Sequence, residues 1–226
     1  MKHSGLSTPT LILATVILGL AALLAGLYVG TLSKGNQGDA ITLTAGTLFP
    51  ADFRALAEFE LNDQTGQTFT RERLAGSWNL IFFGYTYCPD VCPLTLTIFK
   101  QIKAALAGEV RPQTSPLNFI LVSVDPERDS PDRLKEYLDF FDPEFIGLTD
   151  TSTEQQQLNS LTRSLGAYYG KHEHEANEAY LVDHSAGIYL IDPQARAHAL
   201  FSTPHRPDEI ARDLLTIIEN YKADDS

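Results

Sequence analysis

From Ile41 onward the apolar residues come in short blocks, and two kinds of block alternate along the chain. Nearly unbroken apolar runs read as buried strands: Leu80-Ile81-Phe82-Phe83-Gly84, Asn118-Phe119-Ile120-Leu121-Val122-Ser123-Val124 and the shorter Phe145-Ile146-Gly147-Leu148. Apolar residues at helical spacing lie between and after them. They predict helices from Pro93 to about Leu106, from Pro131 onward, from Thr153 to Leu165 and from Pro207 to about Tyr221. Ser130 before Pro131 is a cap followed by proline at the first helical position. Thr153 is expected to cap the third helix, and Gly166 to stop it. Phe59-Glu60-Leu61-Asn62 and Thr68-Phe69 flank Gln64-Thr65-Gly66-Gln67, which predicts an N-terminal hairpin. Near the other end, Tyr180-Leu181-Val182 and Gly187-Ile188-Tyr189-Leu190-Ile191 are expected to pair. A further strand, Ala197 to Phe201, follows the turn Asp192-Pro193-Gln194. Strands and helices in this order predict an α/β domain of ordinary size.

The N-terminal pattern is different in kind. Leu11 to Leu32 carries no charge and is about the length needed to cross a hydrocarbon core of roughly 30 Å. A secretory signal has an apolar core of only about 7–15 residues before its small-residue cleavage site. Only Ala25-Gly26 offers a weak version of such a site, so an uncleaved anchor is expected, with a cleaved signal as the alternative. Lys2 precedes the run, which keeps the short tail in the cytoplasm and the rest outside it. The expected organisation is a cytoplasmic tail (1–10), a transmembrane anchor (11–32), a linker (33–45), a folded domain (46–222) and a short tail (223–226). The domain would then stand on the periplasmic or extracytoplasmic side of the inner (plasma) membrane. The formal net charge of −12 argues against a nucleic-acid partner, and no basic patch offsets it.

Chemistry enters with Tyr85-Thr86-Tyr87-Cys88-Pro89-Asp90-Val91-Cys92-Pro93, which holds both cysteines of the chain. The run sits between the first central strand and a predicted helix. Two sulfurs at i and i+4 on a helix start fall on one face, near enough to share a metal or close a bond. Unpaired N–H groups and the positive dipole end favour thiolate there. Soft-metal binding and redox exchange both fit. A strand, a cysteine turn, a helix, further βα units and a terminal hairpin describe a thioredoxin-like layout.

The segment Phe82 to Pro93 resembles the signature of the Sco/SenC family of copper-binding assembly proteins. Two more segments match that family in order and spacing: Val124-Asp125-Pro126-Glu127-Arg128-Asp129-Ser130-Pro131 and Tyr180-Leu181-Val182-Asp183-His184-Ser185. The resemblance spans about Gly46 to Tyr221. It implies that Cys88 and Cys92 are thiolate ligands and His184 an imidazole ligand of one copper ion per domain. Soft thiolates favour Cu(I), imidazole suits both oxidation states, and three ligands leave a position open for passing the metal on. Asp183 and Asp125 match acidic positions near the family's site, as orienting groups or an added oxygen ligand. The implied function is a membrane-anchored copper metallochaperone delivering to the CuA centre of cytochrome c oxidase subunit II. Other copper chaperones or thiol–disulfide oxidoreductases would be further partners.

The same residues admit other readings. A structural disulfide between Cys88 and Cys92 would close a ring worth only roughly 2 kcal/mol in the chain-entropy model. A thiol–disulfide oxidoreductase acting on a respiratory oxidase subunit, using the same two cysteines, is the alternative function. The spacer of three residues departs from C-x-x-C, and a histidine ligand is superfluous to simple exchange, which favours a metallochaperone over an enzyme. His172 and His174, in Lys171-His172-Glu173-His174-Glu175, are expected to belong to a solvated loop. His198 and His205 have no partner motif, and His3 falls on the cytoplasmic side.

Overall fold

The structure, a computed structural model, describes residues 17–26, 28, 41–53, 55–108, 115–172 and 180–221. The chain divides into two compact units, Met1–Thr42 and Leu43–Ser226. In the first, residues 17–26 are helical, with Ile17, Leu18, Leu20, Leu23 and Leu24 exposed. Among the described residues no helix is long and apolar enough to cross a membrane. The rest of the expected span, the tail 1–10 with His3, residues 33–40 of the linker, His174 and the tail 222–226 lie outside the described residues.

The second unit is built on an eight-stranded sheet in the order β1-β10-β9-β4-β5-β6-β2-β3. Its centre is β4 (Trp78–Gly84), buried at every position. That burial explains the unbroken apolar run, since both faces are covered. β4 pairs in parallel with β5 (Leu117–Ser123), and β5 in parallel with β6 (Ile146–Thr149). On its other side β4 pairs antiparallel with β9 (Ile188–Ile191), which pairs with β10 (Ala197–Phe201). β10 in turn pairs with β1 (Gly46–Leu48), a strand with no signal in the sequence pattern. The expected hairpin is β2 (Glu60–Asp63) with β3 (Thr68–Thr70), joined to the sheet through β6.

Helix α1 (Val91–Leu106) connects β4 to β5 and buries Cys92, Leu96, Phe99, Ile102 and Leu106, at the spacing of one helical face. α2 (Pro131–Phe141) begins as expected: Ser130 Oγ accepts the Arg133 N–H, and Pro131 takes the first turn. α3 (Gln156–Ser164) starts later than Thr153. Asp150 organises the turn ahead of it, accepting the Leu158 N–H at 3.0 Å and the Ser152 N–H at 3.0 Å. Gly166 ends α3 with a φ of 65°, as the sequence indicated. α4 (Pro207–Asn220) closes the domain.

One strand pairing differs from expectation. The residues around Tyr180-Leu181-Val182 do not pair with Gly187–Ile191. Instead β8 (Val182–His184) pairs antiparallel with β7 (Tyr169–Lys171) in a separate two-stranded ribbon. β9 is occupied on both edges by β4 and β10, so no edge is left for β8. The second unit is an α/β fold of thioredoxin-like layout, with the cysteine turn at the carboxyl end of its central strand.

Candidate metal centre

The sulfurs come together by a different route from a shared helix face. α1 begins at Val91, so Cys92 lies in its first turn and Cys88 in the preceding loop. That loop turns at Tyr85–Cys88, where the Cys88 N–H donates to the Tyr85 carbonyl at 3.3 Å. Cys88 Sγ then accepts the Cys92 N–H at 3.4 Å, one of the donors a helix start leaves unpaired. Asp90, at the capping position, makes no side-chain cap bond. The sulfur stands where a capping oxygen would.

Cys92 is fully buried, and its Sγ accepts the Tyr85 N–H at 3.5 Å. Gly84 makes room for it: a Cβ there would lie 2.8 Å from this sulfur. His184 arrives from β8, and its Nε2 is 3.6 Å from Cys92 Sγ. The other ring nitrogen, Nδ1, is 3.2 Å from the Ser185 carbonyl. A proton on Nδ1 donated to that carbonyl leaves the Nε2 lone pair free to ligate. Phe82 and Tyr85 pack edge-on against the imidazole with centroids 5.7 Å and 5.9 Å away. The Tyr85 hydroxyl accepts the Val182 N–H at 3.2 Å, tying β8 to the end of β4.

Cys88, Cys92 and His184 thus place one donor atom each within 4.8 Å of one another. This is the only such group of His, Cys, Asp or Glu among the described residues. Both cysteines are free. They are electrostatically unequal, which the sequence did not foretell. Hydrogen bonding from Cys92, with further help from His184 and the N–H groups of Asp90 and Cys92, outweighs burial and holds Cys88 at about 4. Cys92 is pushed well above the usual thiol range by its bond to Cys88, by burial and by the Cys88 charge. Of the two, Cys88 is the sulfur whose surroundings favour the thiolate, and Cys92 the one whose surroundings favour the thiol.

The two acidic residues singled out from sequence are not part of this group of donors. Asp125 is buried and occupied: it pairs with Arg128 and accepts the Tyr180 hydroxyl at 2.6 Å. Asp183 is exposed and pairs with His172. Residues that sequence reasoning passed over stand closer to the cysteine turn. Asp129 bonds Thr86, while Arg128 and Arg133 lie over the Tyr87 ring at 4.9 Å and 5.3 Å. The nearest signal for them was the charged stretch Glu127-Arg128-Asp129 straight after a buried strand.

Fold and site together define a thioredoxin-like domain with two cysteines and a histidine arranged for a soft metal ion. The SCO1/SenC family profile matches residues 50–219, and the chain belongs to that family. It is 32% identical over 201 residues to an SCO2-like protein of Rickettsia conorii, covering 88% of this chain and 92% of that one. Among solved structures it is similar to Arabidopsis thaliana ScoI with copper bound, at 32% identity and a TM-score of 0.65. That match covers 73% of this chain and 98% of the other. Bradyrhizobium japonicum ScoI with copper bound matches at 37% identity and a TM-score of 0.61, covering 71% and 98%.

Proposed function

We propose that this chain binds one copper ion through Cys88 Sγ, Cys92 Sγ and His184 Nε2 and hands it on to a respiratory oxidase. The observation that carries this is the gathering of three donor atoms within 4.8 Å on two separate elements. The donor set fits the metal: two soft sulfurs and one imidazole suit Cu(I) and tolerate Cu(II). Three ligands leave a coordination position for an incoming group. Cys88 is only half buried, which gives that group a way in. The recipient's own thiolates or imidazoles would displace Cys88, Cys92 and His184 in turn. Family membership supports the CuA centre of cytochrome c oxidase subunit II as recipient. The uncharged run Leu11 to Leu32 supports a single membrane anchor that keeps the domain on the extracytoplasmic side.

The test is copper stoichiometry and absorption spectroscopy on the full-length protein, its Cys88→Ser variant and its His184→Ala variant. One tightly bound copper with a sulfur-to-copper charge-transfer band, lost in both variants, is expected. Stoichiometric Cu(II) with an unchanged spectrum in His184→Ala would remove His184 from the ligand set.

A second reading is favoured by the unequal cysteines. The Cys88 thiolate would attack a partner disulfide, forming a mixed disulfide and releasing one partner thiolate. Cys92, losing its proton, would then attack Cys88 Sγ, close the Cys88–Cys92 disulfide and release the second thiolate. Two electrons pass to the partner. The same two sulfurs serve both readings, so reduction of the recipient's cysteines and copper delivery are compatible in one protein.

A further inference from the structure

The stretch after β5 carries a group that the ligand set does not use. Asp129 is fully buried, yet the donors around its carboxylate are neutral. Oδ2 accepts the Thr86 N–H at 3.0 Å and the Ser123 hydroxyl at 2.7 Å, and Oδ1 accepts the Thr86 hydroxyl at 2.7 Å. Two of these three bonds grip a single residue, Thr86, two positions before Cys88. Arg133 Nε donates to the same Thr86 hydroxyl oxygen at 3.3 Å. The next residue, Tyr87, is half exposed and has two guanidinium groups over its ring, those of Arg128 and Arg133.

A buried carboxylate without a facing cation is costly, because desolvation disfavours its charge. An apolar side chain would fill the space at lower cost. What the carboxylate adds is a fixed position for Thr86. The turn needs it: inside Tyr85–Cys88 the sole backbone bond is the 3.3 Å contact from the Cys88 N–H, and Pro89 has no N–H to give.

We propose that Asp129 is a positioning residue for the metal centre. Through its paired bonds to Thr86, and with Arg128 and Arg133 bracing Tyr87, it holds the Cys88 turn in reach of Cys92 and His184. The proposal takes its cargo, copper, from the reading above. Its physical basis is that ligand atoms must stay within about 0.5 Å of the productive geometry, which only locked supporting residues secure. The loop after β5 is then part of the site although none of its atoms is a ligand.

The test compares Thr86→Val, which keeps the shape and removes the hydroxyl, with Thr86→Ser, which restores it. Two quantities are read on the full-length protein: Cu(I) affinity by competition with a chromogenic chelator, and the rate of Cys88 alkylation by iodoacetamide without metal. Thr86→Val is expected to weaken Cu(I) binding by about tenfold, the size that losses of supporting bonds commonly have. It is also expected to slow alkylation, while Thr86→Ser stays at wild-type values. Wild-type behaviour in Thr86→Val, or equal damage in Thr86→Ser, would overturn the proposal. Should Thr86→Val fail to fold, Arg133→Met asks the same question from the half-exposed side. A shift of both quantities in the same direction supports the positioning role, and wild-type values overturn it. Slowed alkylation in a protein that binds no copper even as wild type would sink the copper reading and leave the positioning role standing.

Discussion

Cys88 and Cys92 are the same residue four positions apart, and their surroundings make them opposites. The donors at the start of α1 and its neighbours hold Cys88 at about 4, far below an ordinary thiol. A pKa lowered on folding contributes stability that is complete above the ordinary thiol range. It persists in part at lower pH and is lost as pH falls through about 4. Alkylation of the metal-free protein should therefore modify Cys88 at pH 6 and spare Cys92, with the rate falling only toward pH 4. Peptide mapping by mass spectrometry checks it, and a midpoint near 8.5, the ordinary thiol value, would contradict it. Gly84 sets the second sulfur. A methyl group there would lie 2.8 Å from Cys92 Sγ, 2.8 Å from the Phe82 ring and 3.1 Å from Leu121 Cδ1. Gly84→Ala should cost about 1–3 kcal/mol by overpacking and weaken metal binding as the sulfur is displaced. Denaturant titration and chelator competition would measure the two effects separately.

At the scale of elements, the site is a meeting of the β4–α1 turn with β8. The turn was legible in the sequence because an apolar strand, a cysteine pair and a helical pattern stand side by side. β8 was not, because its short run looks like a core strand. With three residues, an element has too little periodicity to declare its partner. One of its ties to the end of β4 is a side chain, the Tyr85 hydroxyl, which accepts the Val182 N–H. Tyr85→Phe leaves that buried N–H without a partner, at a cost of about 1–3 kcal/mol. We expect reduced stability together with looser attachment of His184. The metal-binding loss should resemble that of His184→Ala in kind and be smaller in size. Intact copper binding in Tyr85→Phe would show that packing and the pairing with β7 hold β8 without this bond. The start of α3 is a parallel case: Thr153 has the residue type of a cap, but Asp150, three positions earlier, receives the Leu158 N–H.

At the scale of the molecule, one carboxylate governs where the domain begins. Asp213 on α4 is buried and accepts the backbone N–H groups of Thr44, Ala45 and Gly46 at 2.7–3.0 Å. These bonds anchor the start of β1, which pairs with β10 at the sheet edge. Asp213→Ala would strand three partly exposed donors, which water can reach, at a combined cost of about 1–3 kcal/mol. The expected outcome is a large drop in the denaturation midpoint and faster proteolytic cleavage near residues 41–46. An unchanged cleavage pattern would mean that sheet pairing alone holds this edge. The candidate donors span the chain in the same way: Cys92 and His184 are 92 residues apart and meet at 3.6 Å.

The sequence by itself determined the central elements and the donor residue types. Local signals are strong there: apolar runs for β4 and β5, helical spacing for α1 and α4, a serine–proline start for α2, and two thiols with a histidine in a family's order. Only the tertiary structure decided what depends on contacts between distant residues. Which edge β8 joins is settled by the edges of β9 already being taken. Which sulfur carries the charge is settled by who donates to it and how deeply it is buried. Which acidic residue supports the cysteine turn is settled by direction, since Asp125 turns to Arg128 and Tyr180 while Asp129 turns to Thr86. Hydrogen bonding and desolvation act through space over a few ångströms, and a linear pattern does not record which residues will be that close.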